Sequence, residues 1–186
     1  MAAQSKYIQS VIDATRGRPR STQWYKDKIK EFGQPGAQAL IRDGKRSSAP
    51  HYGRLNMFIY NPKHRKTLPY YDTFPLVLPL ESYSDGFLGI NFHYLPIGLR
   101  MRLLDRLVDY SNNTKFDEST RLVVNYQKLK NINLIKPTIH KYLKGYTMSQ
   151  FRRIYGDEMT VATLLPVQRF KKASAKAVWS ESRGMI

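Results

Sequence analysis

Phe87-Leu-Gly-Ile-Asn-Phe-His-Tyr-Leu-Pro96 decides the fold class. Through Leu95 the pattern repeats every second residue. Leu88, Ile90, Phe92 and Tyr94 share one face, and Phe87, Gly89, Asn91, His93 and Leu95 share the other. This is the period of a strand, and the first set is predicted to face the core. Gly89 permits a bend or a close backbone approach. At Pro96 the period changes. Leu99, Leu103, Leu104, Leu107 and Val108 form one apolar stripe, with Arg100, Arg102, Arg106 and Asp109 largely outside it. A helix is therefore predicted over Pro96–Tyr110, with the proline in its first turn.

Upstream, Leu55–Tyr60 and Phe74–Leu80 read as two further strands. Pro75 and Pro79 remove backbone donors, so the second is expected to be an edge or bulged strand. Ser82-Tyr-Ser-Asp-Gly86 has the composition of a hairpin turn. Ser21–Gly33 reads as a capped helix carrying Trp24, Tyr25, Ile29 and Phe32. Residues 1–20 begin as a short helix and end in Arg16-Gly-Arg-Pro-Arg20, a basic arm of the kind that enters a minor groove or wraps a neighbour. Downstream, helices are expected at Leu122–Lys130, from Pro137 to Gly145, for a turn or two in Met148–Tyr155, and over Pro166–Ser180. Asp157–Leu165 is ambiguous, with Thr160, Val161 and Thr163 favouring an edge strand. The fold class is α+β: a small bent antiparallel sheet, which fits an SH3-like barrel better than a flat sheet, surrounded by helices. The expected organisation is a basic N-terminal arm over 1–20 and a single α+β domain over 21–186. That domain has its sheet core in 55–95 and a helical C-terminal half.

Charge points to a partner. The 186 residues hold 31 Lys plus Arg and 14 Asp plus Glu, a net charge of +17. Residues 67–99 contain no Lys or Arg, so the surplus lies in two flanks of about +10 each around an aromatic centre. A surplus of this size calls for a polyanion, first of all nucleic acid. The candidate DNA or partner contacts are Arg16, Arg18, Arg20, Lys26, Lys30, Arg42, Lys45, Arg46, Lys63, Arg65, Lys66, Arg152, Arg153, Lys171 and Lys172. Many of these stand where Gly, Pro and Ser interrupt regular structure, so their charge does not read as a helix's outer face. Those in the arm and the 42–66 loops are expected to be mobile until they meet a partner. The apolar run Phe74–Leu80 is broken by prolines and far too short for a membrane span, and no secretory signal is expected at the N-terminus.

Catalysis finds little footing. With no Cys, a thiol nucleophile, a Cys-ligated zinc and a disulfide framework are excluded. Phosphate-loop, zinc-protease, nucleophile-elbow and dinucleotide motifs are missing. His51 and His64 read as phosphate contacts in basic loops, and His93 as a packed ring bonded to a backbone carbonyl. Asp72, Glu81 and Asp85 are the carboxylates a nuclease could use for Mg²⁺, but no Lys lies among them. Asp72 is better read as an anchor of the Pro69–Pro75 loop. No metal or cofactor is expected. Tyr60, Tyr70, Tyr71, Phe74, Tyr83, Phe87, Phe92 and Tyr94 could stack bases. Their alternation with Leu, Val and Ile favours core packing or a protein interface.

Four segments occur in a telling order: the Trp24-Tyr25 basic helix, Phe58-Ile-Tyr-Asn-Pro62, Leu68-Pro-Tyr-Tyr-Asp72 with Phe74-Pro-Leu-Val77, and Gly86–Pro96. Over residues 20–180 the chain resembles a small virion-associated protein family of large contractile-tailed bacteriophages. Members of that family are DNA end protectors or structural components of neck, tail or baseplate. The resemblance implies a non-enzymatic virion component, assembled in the host cytoplasm, that docks on other phage structural proteins and contacts DNA, protecting the packaged end. It supplies no catalytic residues. The alternatives are a baseplate or tail assembly protein without DNA contact, and a free sequence-nonspecific nucleic-acid-binding protein.

Overall fold

The β hairpin at the centre of the sequence is also the centre of the sheet. The computed structural model describes Gln23, Asp27 and residues 45–111, 120–156 and 158–186. Strands β4 (Leu76–Tyr83) and β5 (Gly86–Asn91) pair antiparallel, turning at Ser84-Asp85 with Tyr83 opposite Gly86. The expected hairpin is thus present. So is the expected irregularity: the register shifts between Pro79 and Glu81. β2 (Asn56–Met57) covers the other side of β4 only at Leu76 and Val77, so Pro79 lies beyond it, where its missing N–H breaks no ladder.

Five further strands contribute. β1 (Arg46–Ser47), β6 (Ile139–Leu143) and β7 (Phe151–Arg153) complete an antiparallel six-stranded sheet of order β1-β7-β2-β4-β5-β6. β3 (Tyr71–Asp72) and β8 (Phe170–Lys171) form a separate pair. The fold is α+β, as expected, but β1 and β6 end the sheet without meeting, so the SH3-like closed barrel is not formed. Helices α1 (Ile97–Tyr110), α2 (Tyr126–Leu129), α3 (Met159–Leu164) and α4 (Ala175–Met185) surround it.

Several local expectations are corrected. The third strand stops at Asn91, whose side chain accepts from the His93 amide and starts a 3-10 turn over Phe92–Tyr94. Residues 139–143 and 151–153 are strands rather than helices. The first is preceded by a 3-10 turn over Asn133–Thr138. Residues 159–164 are helical, not an edge strand, and only Tyr126–Leu129 of the Leu122–Lys130 segment is α-helical. The last helix begins at Ala175, after Ser174 caps the Ala177 amide. Of the expected 21–33 helix, Gln23 and Asp27 are described. Both are helical, and Gln23 donates to Asp27 at 2.7 Å. The arm over 1–20 lies outside the described residues.

Both sheet faces are buried, which explains why Phe87 is covered as well as Ile90. One face packs an aliphatic core of Leu76, Leu78 and Ile90 against Met101, Leu104 and Leu107 of α1 and Leu164 of α3. The other is aromatic: Phe58, Tyr60, Phe87, Tyr142 and Phe151 with Val77. Phe58 touches Phe151 and Tyr142 at centroid distances of 4.7 and 5.3 Å, pairs worth about 0.5–1.5 kcal/mol each beyond burial. Gly86 passes so close to the Tyr142 carbonyl that a Cβ there would collide with it. Arg100, expected outside the α1 stripe, is fully buried. It sits one turn from both Ile97 and Leu104, so the helix carries it inward. There its guanidinium donates to the carbonyls of Leu95, Leu165 and His93 and to Gln168, and lies over Trp179.

Candidate nucleic-acid interface

Sheet pairing brings four of the candidate cations together at one edge. β7 lies between β1 and β2, so Arg152 stands opposite Arg46 on one side and Met57 on the other. Arg153 stands opposite Asn56, donates its amide to the Lys45 carbonyl at 2.9 Å, and stacks on Tyr155 at 4.6 Å. Like charges directly opposed across strands are unfavourable. Burial, and then the Arg46 charge, lower the pKa of Arg152 from its usual value. Arg152 Nη1 and Arg153 Nε are buried with no hydrogen-bond partner among the described residues. His51 joins the cluster. Burial first, then Arg153, Lys45 and Arg121, lower its pKa and favour the neutral ring at pH 7. The Lys141–Asp85 ion pair and the His93–Asp72 hydrogen bond lie elsewhere.

A second group gathers beside the opposite edge. The loop after Tyr60 carries Lys63, Arg65 and Lys66 on the surface. It is not irregular: the Arg65 amide donates to Pro62, and those of Thr67 and Leu68 to His64. Lys172 Nζ ties the loop to the end of β8, donating to the carbonyls of Lys66 and Leu68 at 2.7 and 2.8 Å. Lys172 itself holds a left-handed backbone, φ 69°. Lys171 pairs with Tyr71 across β3–β8.

This loop and β6 enclose a cavity of about 590 Å³. Tyr60, Tyr94 and Tyr142 form its buried lining, and Tyr70, Tyr71 and His140 its half-buried lining. Lys63, His64, Lys136 and Lys141 are exposed to solvent around it. The rings of Tyr94 and His140 lie 4.0 Å apart, and those of Tyr70 and Tyr94 5.9 Å apart. Burial, with Glu181 bonded to its hydroxyl, raises Tyr70 to about 12. Burial pushes His140 down to about 4, so the ring is neutral at pH 7 beside the Pro137 carbonyl, 3.2 Å away. Lys141 is partly spent, 2.9 Å from Asp85 and over the Tyr83 ring at 5.1 Å.

Asp72 is the one carboxylate in the cavity lining, and its bonding is filled. Oδ1 accepts the amides of Phe74 and Arg169 at 3.0 and 3.1 Å, and Oδ2 meets Asn91 and His93 at 3.3 and 2.7 Å. Burial opposes the anion, but His93 and these amides outweigh it and hold Asp72 below its usual range. Burial keeps His93 neutral against the pull of Asp72. The anchoring role expected for Asp72 is what its bonds perform. His93, expected to bond a backbone carbonyl, takes a carboxylate instead, because the β5 end sets Nδ1 against β3. The other two carboxylates are apart from it: Glu81 accepts the Tyr83 hydroxyl, and Asp85 sits at the hairpin tip.

The described candidates thus fall into Lys45, Arg46, Arg152 and Arg153 at one edge, and Lys63, Arg65, Lys66, Lys171 and Lys172 beside the other. Arg16, Arg18, Arg20, Lys26, Lys30 and Arg42 lie outside the described residues. Sequence reasoning missed Lys136, in the 3-10 turn before β6, and Lys141, whose signal was the alternation through Ile139–Leu143. No curated protein and no solved structure matches the chain. The family model described as Phage T4 terminal DNA protecting protein matches residues 4–182, nearly the whole sequence and every segment that carried the phage resemblance. The chain belongs to the Phage T4 terminal DNA protecting protein family.

Proposed function

We propose that this chain is a non-enzymatic virion protein that grips duplex DNA along its β1–β7 edge and shields the packaged DNA end, docked on other phage structural proteins. The observation that carries this reading is the uncompensated pairing of Arg46 with Arg152 beside Arg153, in a chain of a family named for protecting DNA termini. Opposed guanidinium groups weaken a fold on their own. A phosphate backbone offers acceptors to the accessible nitrogens of the exposed Arg46 and the half-buried Arg152 and Arg153, in charge-assisted bonds. Such contacts fix position without reading sequence, which suits a protein that meets any DNA end. The basic arm over 1–20 serves docking, and the α+β domain over 21–186 serves DNA.

The test is digestion of a linear duplex by an exonuclease in the presence of the full-length protein. The ends are expected to be shielded at low salt. Six phosphate contacts would give a log–log salt slope of about −5. Failure to bind duplex at about 50 mM salt overturns the reading and leaves the charge to acidic partners in a tail or baseplate assembly. Mass spectrometry of purified particles checks the virion placement, with a fixed copy number expected.

A further inference from the structure

The β1–β7 edge explains how a duplex is held along its length, but nothing in it distinguishes an end from a middle. We propose that the cavity beside β6 takes the terminal nucleotide of a DNA strand, its base stacked on tyrosine and its phosphate met by Lys63 and Lys136. This inference rests on the DNA-end reading above and assigns it a site. Three features converge on the same occupant. The cavity, at about 590 Å³, lies in the size range of small-ligand sites and is closed to a duplex, whose bases are stacked and paired. Its walls are aromatic, and aromatic faces stack any base, which an end-binding protein without sequence preference requires. Its solvent side is cationic, and the one carboxylate in its lining, Asp72, is buried and fully bonded inward, while Glu181 stands at the Tyr70 hydroxyl.

The chemistry assigns roles within the lining. Tyr71 is half-buried and its neighbours across β3–β8 hold its backbone, so it can offer ring surface without rearrangement. Lys63 and Lys136 are exposed and enter no ion pair among the described residues, unlike Lys141, which Asp85 already engages. Entry by a base requires that it leave its stack, which is easiest for the last nucleotide of a strand or an overhang. An internal base must also break its pair and both stacks, which costs more. Preference for ends therefore follows from the cavity's shape rather than from a sequence.

The experiment compares two probes with the full-length protein. One is a hairpin duplex with a single open end, a short overhang and 2-aminopurine as its last base. The other is a closed dumbbell of the same sequence. The open-ended probe is expected to bind about tenfold more tightly, the worth of roughly one stacked base, with a change in its fluorescence. Free dAMP at millimolar concentration should remove that advantage and leave dumbbell binding untouched. The K63A/K136A double variant and Tyr71→Leu should each lose the advantage while keeping dumbbell affinity. That retained affinity shows that the variants are folded. Equal binding of both probes by the unaltered protein overturns the inference, as does an end preference that survives both variants. If the dumbbell does not bind either, the duplex reading itself has failed, and the cavity assignment falls with it.

Discussion

The two edges of the sheet both carry positive charge, and they carry it differently. At the β1–β7 edge Arg46 and Arg152 stand opposite each other, with Arg153 next to Arg152 on the other face of the strand, and no ion pair among the described residues relieves them. At the β6 edge the cations lie around and beside an aromatic cavity, and two of them have partners: Lys141 in the lining has Asp85 and Tyr83, and Lys172 outside it has the Lys66 and Leu68 carbonyls. An edge that opposes its own charges is destabilising until a polyanion arrives, so it suits a long, repetitive ligand. A rim whose cations stand apart around ring faces costs the fold little and suits one small group. The same net charge thus serves two kinds of contact, and the neighbours of each cation, rather than their number, tell them apart.

The largest expected effect comes from the first edge. Replacing Arg46, Arg152 and Arg153 together by Ala should reduce affinity for closed duplex by about two orders of magnitude at 0.1 M salt. It should flatten the log–log salt slope by about 2.7, if each meets one phosphate. The same variant should melt higher, by about 1–3 °C, because opposed like charges are removed. Binding and stability then move in opposite directions. If the protein instead loses both, the arginines hold the fold together and the contrast between the edges collapses.

The second effect sharpens the other edge. Burial lowers His140 from 6.5 to about 4. Between those values the unfolded chain binds a proton that the folded chain refuses, so stability is full above pH 6.5 and falls as pH drops toward 4. The span corresponds to about 3 kcal/mol. His51 and His93 are lowered too and act in the same direction, so the measurement is a difference. Urea unfolding of the unaltered protein and of His140→Phe, at pH 7 and pH 4.5, should show a smaller acid loss in the variant. Equal losses would mean that His140 titrates freely and does not belong to the dry wall of the cavity.

What the sequence disclosed was local. The hairpin at Asp85-Gly86 and the helix after Pro96 are written in neighbouring residues, and both are present. β6 was misread because Ile139, Tyr142 and Leu143 also satisfy helical spacing; its partner β5 lies some fifty residues upstream, and only that pairing decides between the periods. β7 is three residues long, too short to show any period. Arg100 was placed outside by its charge although its position on α1 was inward, and its carbonyl partners come from distant segments. The candidate cations were recognisable as a class. Their sorting into two edges was not, because Arg46 meets Arg152, and Lys172 meets the 62–68 loop, only through strand pairing and chain return.

The smallest expected effect separates a cation that binds DNA from one that shapes the site. Lys172 is exposed, and the two carbonyl bonds of its Nζ hold the loop bearing Lys63. Water can replace such bonds, so Lys172→Ala should cost less than about 1 kcal/mol of stability. Lys172→Gly should cost less still, because glycine accepts the left-handed backbone that lysine holds under strain. The loop, however, should loosen. Trypsin should cut after Lys63, Arg65 or Lys66 several times faster in both variants, and the preference for an open DNA end should weaken. The salt slope on closed duplex should not move, since this lysine spends its donors on the chain rather than on phosphate. A slope that falls by about 0.9 in Lys172→Ala would show that it meets a phosphate after all. The β6 edge would then share the task assigned to the β1–β7 edge, and the division between holding the duplex and holding its end would have to be redrawn.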